Sequence, residues 1–218
     1  MPYRRRRGTR RRRRRRRFTN HVLPLQKAIS FKYCEHYDFT ATVAGQGVIK
    51  KFNCNSPYDP YFGIGGNQPR GWDQMGQLYD KYHVISSKIT LSFPCMDTSD
   101  IDCIIGITKT NGMDPLSDSL TANDVLDARF TRYQYINKSG ASNGKLSMTF
   151  SAKKWFGQDD IVGDPHKGAT WSANPHERAL FNVFVLPLNP TDTFADYDVI
   201  VQIEYNVICS RPVFLQQS

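Results

Sequence analysis

From Ile29 onward, apolar and polar positions alternate with a period of two. Ile29, Phe31, Tyr33, Tyr37, Phe39, Ala41 and Val43 share one parity, with Glu35 the single interruption. That predicts a long strand, bent or bulged near Glu35. Further strands are predicted at Val48–Cys54, 83–93, 101–108, 129–137, 144–151, 178–187 and 196–209. The last has the clearest pattern, with Tyr197, Val199, Val201, Ile203, Tyr205 and Val207 on one face.

The intervals between these runs are rich in turn signals. Gly45-Gln46-Gly47, Ser139-Gly140 and Asn143-Gly144 mark short connections. Residues 55–77 carry four glycines between Gly63 and Gly71, a fifth at Gly76, and prolines at 57, 60 and 69. They read as one long loop, with a short helix over Asp73–Tyr82. A second loop covers 110–128, where Thr121 can cap one helical turn, and a third covers 152–177. About eight strands with almost no helix predict an all-β, eight-stranded antiparallel jelly roll, a two-sheet sandwich.

The first seventeen residues do not fit this pattern. Twelve are arginine (Arg4, Arg5, Arg6, Arg7, Arg10, Arg11, Arg12, Arg13, Arg14, Arg15, Arg16 and Arg17) and none of the others is charged. So dense a block of like charge has nothing to bury, and is expected to be a disordered arm. The chain carries 29 basic and 20 acidic side chains, a net of +9. Taking away the twelve arginines leaves 17 against 20, so residues 18–218 have a net charge of −3. The organisation is therefore an arginine-rich arm, 1–17, on a mildly acidic β domain, 18–218. Arginine grips phosphate oxygens in pairs and stacks on bases, which points the arm at nucleic acid. The same residues suit a nuclear-import signal read by host import receptors.

Candidate chemistry elsewhere is thin. His21, His36, His83, His166 and His176 form no H-x-H or H-E-x-x-H pair, so no metal site is expected. Cys34, Cys54, Cys95, Cys103 and Cys209 contain no C-x-x-C and are expected to be reduced and structural. Gly63-Ile64-Gly65-Gly66-Asn67 matches neither phosphate-loop pattern, and no G-x-S-x-G occurs. The acid pairs Asp159-Asp160 and Asp100/Asp102 read as solvated loop acids. No catalytic constellation and no cofactor are expected. No apolar run is long enough for a membrane helix, no signal-peptide core follows the arginines, and the sequon at Asn137 reads as chance. The loop aromatics Tyr58, Tyr61, Phe62, Trp72, Trp155 and Trp171 have three readings. They pack beneath their own loops, anchor subunit contacts, or stack on single-stranded bases.

Arginine arm and β body together resemble the capsid proteins of circoviruses, cycloviruses and related small circular single-stranded DNA viruses. Three segments carry the likeness. The stretch Leu78–Cys95 resembles that family's run of paired tyrosines, lysine, hydrophobics and a closing Phe93-Pro94-Cys95. Lys153-Lys154-Trp155-Phe156 resembles a segment of the wider group, and Asp198–Tyr205 resembles the family's closing strand. The arm departs from several relatives in being short and nearly pure arginine.

The resemblance implies a homo-oligomeric, T=1-like shell of about sixty copies around a circular single-stranded DNA genome. It also implies residence in the virion and, during assembly, in the host nucleus. A host-cell surface receptor or glycosaminoglycan is a further candidate partner. The residues alone leave open a capsid of a small RNA virus or satellite, because arginine does not distinguish DNA from RNA phosphates. They also leave open a cellular nucleic-acid-binding or lectin-like sandwich.

Overall fold

The computed structural model describes residues 23–40, 43–93, 102–112, 122–136, 144–189, 191–192 and 197–213. Its long strands are β1 (Gln26–Phe39), β2 (Val48–Asn53), β3 (Tyr79–Phe93), β4 (Cys103–Asn111), β5 (Thr131–Ile136), β6 (Gly144–Ser151), β8 (Ala179–Pro187) and β9 (Tyr197–Pro212). A three-residue β7 (Gly168–Thr170) hydrogen-bonds to β3. One sheet has the order β1-β9-β3-β6, the other β2-β8-β4-β5, and every pairing is antiparallel. With β7 set aside, the first strand pairs with the last, the second with the next-to-last, β3 with β6, and β4 with β5. One long hairpin rolled into two facing sheets is a jelly roll.

The period-two pattern supplies the core between the sheets. Phe31, Tyr33 and Phe39 of β1 meet the inward row of β9 (Val199, Val201, Ile203, Tyr205), and both face Phe181, Val183 and Val185 of β8. The second sheet is also covered on its outer side. Val125, from the short helix α2 (Ala122–Leu126), packs on Ile104, Phe184 and Leu186. Every residue of β8 is consequently buried, which explains its apolar run, broken only by Asn182; one-sided strands alternate. Gly106 belongs to this packing, since a Cβ there would lie 2.1 Å from the Phe184 ring.

Three local expectations fail. β1 runs in unbroken register against β9, so Glu35 causes no bulge. The strand also stops at Phe39, and Val43 is exposed. The register shift falls instead in β3, between Val84 and Ser86. The helix after the first long loop is also shorter than predicted: α1 covers Trp72–Gly76 only. Tyr79 is already paired with Pro212 and fully buried, so burial of Tyr79 and Tyr82 against β9 overrides the helical spacing.

The loops of 55–77 and 152–177 are docked on each other. Trp72 is buried against Trp171, with ring centroids 4.3 Å apart, and its indole N–H donates to the Trp171 carbonyl at 3.0 Å. The Ser56 hydroxyl donates to Asn174 Oδ1 at 2.6 Å, the Asn55 amide to the Glu177 carbonyl at 2.8 Å, and Tyr82 Oη to the Ala173 carbonyl at 2.9 Å. Lys167, itself buried, pairs with Glu177 and lies 4.4 Å from the Phe156 ring centroid. The loops act as a polar-stitched cap on one end of the sandwich.

Candidate nucleic-acid interface and contact surfaces

The twelve arm arginines lie outside the described residues, as do Thr121, Cys95 and the Asn137 sequon. The described residues begin at Leu23. Leu23 packs against the core, and Tyr79 Oη donates to the Pro24 carbonyl at 3.2 Å. β1 begins two residues later as an edge strand of its sheet.

The six aromatics singled out in the loops all pack within their own chain. Trp72 and Trp171 share a cluster with Phe31 and Tyr82. Tyr61 lies 5.0 Å from Tyr37 and 5.5 Å from Phe52, and Tyr58 is half-buried against the core. Phe62 is covered by the Arg178 guanidinium, 5.1 Å from its ring centroid. Trp155, in α3 (Ala152–Phe156), stands between Phe130 and Phe150.

Glu35 occupies an inward parity position because its carboxylate is fully used. It accepts from Tyr33 Oη at 2.6 Å, from Tyr37 Oη at 2.9 Å, and from the backbone and side-chain amides of Asn67. It therefore pins the Gly63–Asn67 segment to β1, and that segment serves as an anchor. Burial pushes the Glu35 carboxyl up, but these hydrogen bonds outweigh it and hold it below its ordinary value of 4.5. A carboxyl lowered on folding stabilises the fold above its unfolded value, and loses that contribution as pH falls through the folded one. Between pH 7 and pH 3 the urea midpoint of the natural chain should fall further than that of Glu35→Gln. Equal losses would mean that Glu35 titrates in the folded chain as it does unfolded.

Cys54, Cys103 and Cys209 are buried and form no disulfide, whereas Cys34 is exposed. Complete burial raises the Cys54 thiol well above its ordinary value, and burial brings those of Cys103 and Cys209 to about 11. They are inert as nucleophiles. Among the described residues, His36, Asp38 and Asp198 form the one group that brings three possible metal-ligand atoms within 4.8 Å. It is exposed, and His36 Nε2 lies 3.1 Å from Asp198 and 3.4 Å from Asp38, so the imidazole already serves both carboxylates. Asp159 pairs with Lys153, and Asp160 accepts from the Gly163 amide. Among the described residues no helix is long and apolar enough to cross a membrane.

The prominent exposed rings are ones that sequence reasoning passed over. Phe130, Tyr133 and Tyr135 are 50%, 42% and 55% exposed, and all three lie on or just before β5, an edge strand. Opposite them, β6 is the edge of the other sheet. Two cations from the facing sheet satisfy its outward carbonyls: Lys109 Nζ donates to Thr149 at 3.0 Å, and Arg132 Nη1 to Ser147 at 3.2 Å. This seals an edge that would otherwise recruit another strand.

No protein-family model and no curated protein matches the chain. Among solved structures it is similar to the BFDV capsid protein as a 60-mer, at 9% identity and a TM-score of 0.47, covering 90% of this chain and 100% of that one. It is similar to the same degree, with the same coverage, to the semi-empty VLP of Macrobrachium rosenbergii nodavirus, from the giant freshwater prawn. It is also similar to Desmodium yellow mottle tymovirus, at 12% identity and a TM-score of 0.46, covering 92% of this chain and 96% of that one.

Proposed function

We propose that this chain is a non-enzymatic viral capsid protein that assembles into a small T=1-like icosahedral shell and packages a circular single-stranded DNA genome through residues 1–17. The carrying observation is the segregation of charge: twelve arginines on an arm joined to the first strand of a jelly roll whose body has a net charge of −3. Sixty such arms would bring about 720 positive charges to one cavity, enough to neutralise hundreds of phosphates. Contacts to phosphate carry little sequence information, so packaging of this kind accepts any sequence. The acidic body leaves the arm as the sole strong polyanion ligand. The same arginines serve nuclear import before assembly.

Electron microscopy of the purified full-length protein tests this directly. Uniform spherical shells are expected. Discrete small oligomers in near-physiological salt, with nucleic acid added, would instead favour a cellular nucleic-acid-binding sandwich. A shell loaded with RNA in preference to DNA would favour the RNA-virus reading, since arginine grips both phosphates alike.

A further inference from the structure

At the seam between β5 and β6 the body places an exposed ring among cations. Phe130 has φ +68°, a left-handed conformation that is a true outlier for a bulky residue. Such strain persists only where the surroundings fix it, and it clusters at ligand contacts. Here it turns a half-exposed ring outward, directly before β5. The Arg129 guanidinium lies 5.0 Å from that ring centroid and Lys109 Nζ 5.4 Å; Lys109 also lies 5.6 Å from the Trp155 ring, which backs Phe130 at 5.7 Å. Arg132 projects from the adjoining strand. Two of the body's five arginines therefore converge here. The hydrogen bonds that Lys109 and Arg132 make to β6 use one donor each of three and five.

We infer that this seam is a second, base-stacking contact for single-stranded nucleic acid on the folded body, with a base taking the place that the Arg129 guanidinium holds over the Phe130 ring, and the displaced Arg129 together with Lys109 and Arg132 holding the neighbouring phosphates. The ligand that alternates negative charge with flat aromatic faces is a single strand, and stacking platforms beside cations are how proteins hold one without regard to sequence. The inference rests on the nucleic-acid reading above and extends it: the arm supplies salt-sensitive charge, the seam a contact that needs bases.

The test uses the full chain and two strands of equal length, oligothymidylate and its abasic counterpart, titrated by fluorescence anisotropy. The natural chain should bind the base-bearing strand about 10-fold more tightly. Phe130→Leu should erase that preference while leaving affinity for the abasic strand, and its salt slope, unchanged. Phe130→Tyr should retain it. Tryptophan fluorescence should be quenched by oligothymidylate, and Trp155→Phe should remove that quenching. A preference that survives Phe130→Leu overturns the inference and leaves the arm reading intact, whereas failure of both strands to bind overturns the arm reading itself. If Phe130→Leu disturbs particle assembly and spares the base preference, the seam is a contact between copies and the inference falls.

Discussion

A chain shortened by residues 1–17 is expected to fold as the full chain does and to lose its strong affinity for single-stranded DNA. The core is built from residues between Phe31 and Cys209, so the shortened chain should keep its thermal midpoint in the unassembled state. If six of the twelve arginines engage phosphates, the full chain should show a log–log salt slope of about −4, and bind roughly 300-fold more weakly at 200 mM salt than at 50 mM. The shortened chain should keep only a weak, base-dependent affinity, with a salt slope no steeper than about −2 from the three seam cations. Unchanged affinity after the deletion would remove the arm from the binding account. A tagged, shortened chain that still accumulates in nuclei would place an import signal elsewhere.

The second large effect is on stability. Trp72→Ala should cost about 3–5 kcal/mol. The side chain is 1% exposed, fills the contact between the two capping loops, and gives its indole N–H to the Trp171 carbonyl. For a chain of this size that corresponds to a fall of roughly 6–20 °C in the thermal midpoint. The measurement belongs on unassembled protein, because association shifts apparent stability by mass action. Amides of 171–174 should exchange faster in the variant, because Trp72 holds that loop. Ile64→Ala, in the same loop but fully exposed, should stay within about 0.5 kcal/mol. A loss at Trp72 no larger than that would mean the two loops are not coupled.

The strands were legible because burial on one face writes a period of two. β6 spans the predicted 144–151, and β9 carries the predicted inward row from Tyr197 to Val207. Legibility failed where a residue's partner is distant in sequence. Glu35 sits inward because of Tyr33, Tyr37 and Asn67, and the last of these comes from a loop 32 residues away. Tyr79 and Tyr82 suit a helix by spacing and a strand by what covers them. The docking of Trp72 on Trp171 spans 99 residues, so composition revealed the aromatics but not where they point. Phe130 gave no periodic signal, since its exposure follows from one backbone angle. Of the functional reading, the arm was legible at once, because charge density needs no fold to be seen.

The nested pairing of strands has a consequence for how the protein is made. Among the described residues β1 has one hydrogen-bonded neighbour, β9, and β9 also joins β1 to β3. At the usual pace of synthesis, roughly 10–30 s separate Phe39 from the end of β9's emergence. Throughout that interval β1 and one side of β3 are open edges, and the arginine arm is already outside the ribosome, next to RNA. Folding therefore closes late, from many non-local contacts at once, and is slow for its size. Any lesion that truncates β9 takes from β1 its partner and leaves one side of β3 open, and such a chain is expected to aggregate before it can assemble.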